Sequence, residues 1–518
     1  MPFSRTVPLA LVLLVSGFLQ ADDPKNTKDP IGHETTSITG PVDKDGRINY
    51  EASLNDRLGK GITPEKNANV LIWKALGPNP EGGTLPAAYF TRLGIKQPEP
   101  GETYFIGSGE YFRQNKIDAN LQTTFEHARQ RPWIEKEFPH VAAWLKANEV
   151  PLSVIVEATR RPEYFNPLVS RRDDGQRGAL LAAMLPNVQS SRDVSRALTA
   201  RALLRIGQGD AARAWQDLLA SHRLGRLVGR GGTLIEALVG IAIDAITTDA
   251  DLVYLERANL TGREIQTHLA DLQALPSLPA MADKVDLGER HMYLDSLQLI
   301  RCYGVSGVGN FVEGGPLKPA SQAELMAISL LDWQTAVQDG NRYYDKLVAT
   351  MRLKERRIRN PALEKVGEEL RENMRRMKAD TADPARALAN LLGLKPQGKG
   401  TGKMIGELTL SMLVPAVAQA QSAEDRAVQR RDNLRVAFAL AAYRRDHGRY
   451  PEKLNEIAPK YLPEVPIDLF ASGPLVYRPS ADGYLLYSVG LNGKDDAGRS
   501  FDDTPAADDM RVQMPRPK

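Results

Sequence analysis

The chain has 518 residues and carries 67 Lys and Arg against 64 Asp and Glu, a net charge of +3. So even a balance gives no charge-driven preference for nucleic acid or for an anionic membrane surface. Hydrophobic residues make up 42% and charged residues 25%, a globular composition, and the single cysteine, Cys302, cannot form an intrachain disulfide, so stability must rest on a core.

The first 21 residues, MPFSRTVPLALVLLVSGFLQA, read as a secretory signal peptide. Arg5 makes the start positive. Pro8 to Leu19 is apolar but too short to cross about 30 Å of hydrocarbon, and Ala21 offers a small residue for cleavage. Leu19 is not ideal for cleavage, so an uncleaved anchor is the alternative. The expectation is export to the periplasm or beyond, with no membrane span left after cleavage. Residues 22–45 are polar and punctuated by Pro and Gly, which predicts a disordered leader.

Residues 46–393 read as a helical region. Ile48 to Leu58 and Pro64 to Leu76 have helical apolar spacing, with Thr63 as N-cap of the second. A short strand is expected at Thr103 to Ile106. Further helices are expected over Leu121 to Gln130, Trp133 to Ala147, Leu152 to Thr159 and Gly178 to Leu185. Ser191 to Ile206 and Asp210 to Leu227 predict two long helices, separated by Gly207 and Gly209. Such punctuation suits a tight turn between antiparallel neighbours, one helical hairpin of the tetratricopeptide-like sort without a second copy. Leu234 to Tyr254 is an apolar helix. Thr261 with Glu264 three residues on predicts a capping box. Met281 to Arg301 continues the array, Tyr303 to Pro319 reads as a surface loop, and Leu363 to Lys378 as a solvated helix with mixed charges.

Residues 394–403, LKPQGKGTGK, read as a linker. After it, 404–518 changes character. Leu408 to His447 predicts one long helix with a break at Pro415. Pro451 to Leu462 holds a short helix. Leu475 to Arg478 and Tyr484 to Val489 alternate as two strands, and the last 25 residues read as a polar, acidic tail. The fold class expected is mainly α, an irregular multi-helix array with a small C-terminal α+β module.

The run NLRVAFALAAYRRDHGRYPEKLNEIAPKYLPEVPIDLFASGPLVYRPSADGYLLYSVGLNGKDD resembles the globular part of the major pseudopilins of type II secretion. The landmarks include Tyr450, Pro451, Leu454, Pro466, Asp468, Tyr477, Tyr487, Gly490, Gly493, Asp495 and Asp496. The resemblance implies a long helix, a Tyr-Pro turn, a small antiparallel sheet and an Asp-rich loop that binds calcium. Here the module is C-terminal, so the resemblance implies the fold and not assembly into a filament. The remainder of the chain resembles uncharacterised exported bacterial families.

Asp495, Asp496, Asp502 and Asp503 are the candidate calcium ligands, with backbone carbonyls near Leu491 and Asn492. Calcium takes six to eight oxygens, and two Asp pairs around a Gly-containing bend can supply several. The competing reading is a solvated acidic tail, since Asp508 and Asp509 continue the trend. The histidines form no zinc-protease pattern, and His222 reads as a satisfied core residue. Gly393 to Gly400 mimics a phosphate loop but lacks the Ser or Thr that would hold magnesium. These features predict an exported non-enzymatic scaffold with protein partners in the envelope and no nucleic acid. The alternative is a hydrolase or polymer-binding protein with its site in the helical region.

Overall fold

The computed structural model describes residues 31–79, 85–117, 122–170, 187–312, 332–382 and 401–516, together with residues 180, 183, 185, 321, 322, 324 and 328. The expected signal peptide, the leader up to residue 30, most of Gly178 to Leu185 and the linker up to residue 400 lie outside these.

The chain is mainly helical, with a small antiparallel sheet near its C-terminus. In order come α1 (Tyr50–Leu58), α2 (Ala68–Leu76), α3 (Ala87–Leu93), α4 (Ser108–Gln114), α5 (Gln122–His127), α6 (Pro139–Ala147) and α7 (Glu149–Ala158). The long helices α8 (Val188–Gly207), α9 (Ala211–Val228) and α10 (Leu234–Arg257) follow, then α11 (Gly262–Ala274) and α12 (Met281–Lys284). A π turn at Val285–Glu289 leads into α13 (Arg290–Val312), followed by α14 (Trp333–Met351), α15 (Arg356–Ala382) and α16 (Thr401–His447). A 3₁₀ turn at Leu454–Ile457 precedes β1 (Ile467–Asp468), β2 (Gly473–Pro474), β3 (Val476–Pro479), β4 (Tyr484–Ser488) and β5 (Met510–Met514). Among the described residues no helix is long and apolar enough to cross a membrane.

Several ends have local causes. Asp210 caps α9 by accepting from the Arg213 amide at 3.0 Å. Thr233 with Glu236 and Thr261 with Glu264 form reciprocal capping boxes on α10 and α11, each satisfying amides that a helix leaves open. Other expectations are corrected. Asn67, not Thr63, caps α2. No strand forms at Thr103 to Ile106; the Phe105 amide instead donates to the Ala75 carbonyl at 2.8 Å. The loop expected from Tyr303 is helix as far as Val312, broken at Gly304, whose φ is +76°.

The chain divides into two compact units, neither contiguous in sequence. Of the first (residues 1–57, 168–184 and 285–418), part of the expected leader is an element: Thr35 and Thr36 are buried, the Thr35 carbonyl accepts from Asn341 Nδ2 at 2.5 Å, and Val42 bridges Ile48. Arg290, at the start of α13, pairs with Asp286 of the π turn at 2.9 Å and with Asp345 of α14 at 2.8 Å.

The second unit takes residues 58–167, 185–284 and 419–518, which differs from the expected division at 394–403. One hydrophobic core runs through it. Trp133, Trp144, Leu198, Leu218, Ile243 and Tyr254 from the helical part pack in the same cluster as Phe438 and Leu440 of α16 and Leu486 and Val512 of the sheet. The helices α8, α9 and α10 pack against one another. A Cβ at Gly240 would lie 2.5 Å from the Gly225 carbonyl oxygen, so the crossing of α9 and α10 depends on a bare backbone there. In the sheet, β4 lies between β3 and β5, antiparallel to both, with Leu486 opposite Tyr477 on one side and Val512 on the other.

Candidate metal centre

Because β4 and β5 are hydrogen-bonded neighbours, the segment 489–509 must leave the sheet and return to it. So long a connection has little apolar material, and polar contacts shape it. Asp468, fully buried, fixes its exit. Oδ1 accepts from the Phe470 amide and the Ser488 hydroxyl, each at 2.8 Å, and Oδ2 from the Val489 amide at 2.9 Å. The next residue, Gly490, has φ +68°, and a Cβ there would lie 2.1 Å from the Asp508 carbonyl oxygen. Only glycine lets the outgoing strand pass this close to the returning one.

Three carboxylates meet inside the loop. Asp496, Asp508 and Asp509 each offer an oxygen, and these oxygens lie within 4.8 Å of one another. Asp509 is 3% exposed; its Oδ2 accepts from the Gly498 amide at 2.7 Å and the Asp496 amide at 3.1 Å, while its buried Oδ1 has no partner. Asp508 is similar: Oδ2 accepts from the Asn492 amide at 2.9 Å, and Oδ1 is buried without a partner. Burial pushes the Asp509 carboxyl up, the Gly498 amide offsets part of this, and the charges of Asp496 and Asp495 add to it. Unfilled buried acceptors beside like charges are the condition that a hard cation relieves.

Of the four expected ligands, only Asp496 belongs to this group. Asp495 is used within the loop, where Oδ1 accepts from the Ala497 amide at 2.8 Å and the Tyr487 hydroxyl at 2.9 Å; these contacts hold its carboxyl below the usual range. Asp503 Oδ2 accepts from the Ser500 amide and from Arg511 Nη1, both at 2.7 Å, which also lowers its carboxyl. Asp502 is exposed. Asp508 and Asp509 were missed because they read as a solvated tail. The alternation of Met510, Val512 and Met514 was the signal that a strand begins immediately after them.

Three other shifted groups, His222, Glu236 and Lys284, are buried in the second unit, and His291 is buried in the first. His222 is 2% exposed, with Nδ1 at 2.6 Å from Asp244 and Nε2 at 2.6 Å from Asp251. Arg226 reaches the same Asp244 oxygen at 2.5 Å. Burial opposes charge on the imidazole, but the two carboxylates outweigh it and lift His222 to about 9. Elsewhere, buried Glu236 accepts from Asn166 Nδ2 at 2.8 Å, and the Asn166 oxygen accepts from the Tyr89 hydroxyl at 2.5 Å. Lys284 donates to the carbonyls of Arg230 and Gly231, and burial lowers it to about 8. His222, Glu236 and Lys284 are each engaged by protein partners, although Asp251 Oδ1 is buried without one.

No family model, curated protein or solved structure matches this chain.

Proposed function

We propose that this protein is an exported, non-enzymatic scaffold of the bacterial cell envelope, with a pseudopilin-like C-terminal module held in shape by calcium. The observation that carries the reading is the loop between β4 and β5, where Asp496, Asp508 and Asp509 each bring an oxygen within 4.8 Å of the others, and where Asp508 Oδ1 and Asp509 Oδ1 are buried without partners. The order before it, a long helix, a Tyr450-Pro451 turn and antiparallel strands, supports the pseudopilin-like reading. The helices α8 and α9, joined by a short Gly-containing turn, support a tetratricopeptide-like hairpin as an interaction element. The non-enzymatic part is supported by the placement of three shifted groups: His222, Glu236 and Lys284 are all buried and held by protein partners.

Calcium would be held by Asp496, Asp508 and Asp509, and its role would be to neutralise the cluster and tie the loop to the sheet. Millimolar calcium is therefore expected to raise the melting temperature of the full chain by several degrees, and Asp509→Asn to abolish that rise. Equal melting temperatures with calcium and with chelator would sink the metal site.

The scaffold role is tested by crosslinking the full mature chain in envelope fractions, followed by affinity capture. A stoichiometric envelope protein bound through the helical part is the expected result. Recovery of the chain alone would overturn it. Truncation after the linker is the wrong control, because Phe438, Leu486 and Val512 belong to the main core.

A further inference from the structure

The carboxylate cluster already has a cation beside it. Arg499 donates from Nε to the Asp496 carbonyl at 3.0 Å, its Nη2 lies 3.4 Å from Asp496 Oδ1, and its Nη1 lies 3.4 Å from the Pro505 carbonyl. Three contacts to one loop place the guanidinium there, although its side chain is 42% exposed. The other Asp496 oxygen accepts from Asn492 Nδ2 at 3.0 Å. Both Asp496 oxygens are thus engaged, whereas one oxygen each of Asp508 and Asp509 is buried and unfilled.

Arginine stays protonated in proteins and offers no lone pair, so it balances charge without being able to ligate a metal. A divalent ion bound by the cluster must take an oxygen of Asp496 while a positive charge stands on that same carboxylate. The two cations repel, and partial burial keeps that repulsion from being fully screened.

We propose that Arg499 is a built-in competitor at this site: it holds the metal-free loop in shape through Asp496 and sets calcium affinity by having to be displaced. This inference rests on reading the loop as a calcium site. It has a signature that a merely structural arginine lacks. Removing the charge destabilises the empty loop and strengthens the filled one, so the two effects carry opposite signs. A structural arginine, once removed, would weaken both.

The test is calorimetric titration of calcium chloride into the full chain as wild type, Arg499→Gln, Arg499→Lys and Asp509→Asn, with melting temperatures measured in chelator. Arg499→Gln is expected to bind calcium about tenfold more tightly than wild type while melting lower without metal. Arg499→Lys, which keeps the charge, should stay near the wild-type affinity, and Asp509→Asn should lose binding. Binding by Arg499→Gln alone, with none by wild type, would overturn the reading of the wild-type loop as a calcium site and the role of Arg499 in setting its affinity. If wild type and Arg499→Gln bind equally, or the variant binds more weakly, the competitor role is wrong and the calcium site survives. If neither binds at millimolar calcium, the site itself fails and the role of Arg499 with it.

Discussion

Replacing His222 with alanine is expected to cost the protein about 3–5 kcal/mol, the range for breaking a buried ion pair by removing one partner. The imidazole bridges Asp244 and Asp251 of α10 from its place on α9. Without it, Asp244 keeps Arg226, but Asp251 loses the partner of its Oδ2, and its Oδ1 already has none. A chemical denaturation curve of the variant against wild type measures the loss; coincident midpoints would refute the role.

The same contact has a definite pH signature. The folded-state pKa of His222 is lifted to about 9, above the ordinary value near 6.5. A group raised in the folded state contributes stability that is full below the unfolded pKa and disappears as pH rises through the folded one. The contribution is therefore present below about pH 6.5 and fades toward pH 9, with an upper size of ~3 kcal/mol. Lys284 works in the opposite sense. Burial lowers it to about 8, so the cost of its buried charge is relieved as pH rises above that value. The informative quantity is thus the difference between wild type and His222→Ala, which should shrink between pH 6.5 and 9. A difference independent of pH would mean that the imidazole is neutral and only packs.

Asp468→Ala should be nearly as damaging, though more local. One buried carboxylate serves the amides of Phe470, Ala471 and Val489 and the hydroxyl of Ser488. Alanine leaves these donors inside the protein with no acceptor, and each orphaned group costs about 1–3 kcal/mol. Partial relaxation limits the sum, so a loss of about 3 kcal/mol or more is expected. Hydrogen exchange should localise it to the ends of β1 and β4 and the loop that follows, while the α8–α10 core keeps its protection. Uniform loss across the unit would mean that Asp468 contributes to global stability and not to anchoring the sheet.

What the residues reveal on their own follows the range of the interactions. Capping boxes and glycine punctuation act over three or four positions, so the box at Thr261 and the turn at Gly207 to Gly209 are legible, and α8 to α11 lie close to where the pattern puts them. His222 is likewise legible as a satisfied core histidine, although its two carboxylate partners on another helix are not. β5 is only faintly legible, since Met510, Val512 and Met514 alternate but Arg511 and Gln513 make the run look like a tail; pairing with β4 is what turns it into a strand. The carboxylate cluster is hidden for the same reason, since Asp508 and Asp509 come beside Asp496 only when that strand closes the loop. The π turn at Val285–Glu289 has no local marker. The division into units is also invisible, because composition does not tell which apolar faces meet.

The core of the second unit joins Ala68 near one end of the chain to Met514 near the other. A nascent polypeptide with this wiring is unable to bury its helices in their native company until the residues of β5 have left the ribosome. Contacts so distant in sequence make folding slow and leave apolar helices waiting without partners. A long unfolded interval is a hazard where chains crowd together, because transiently exposed apolar surface aggregates.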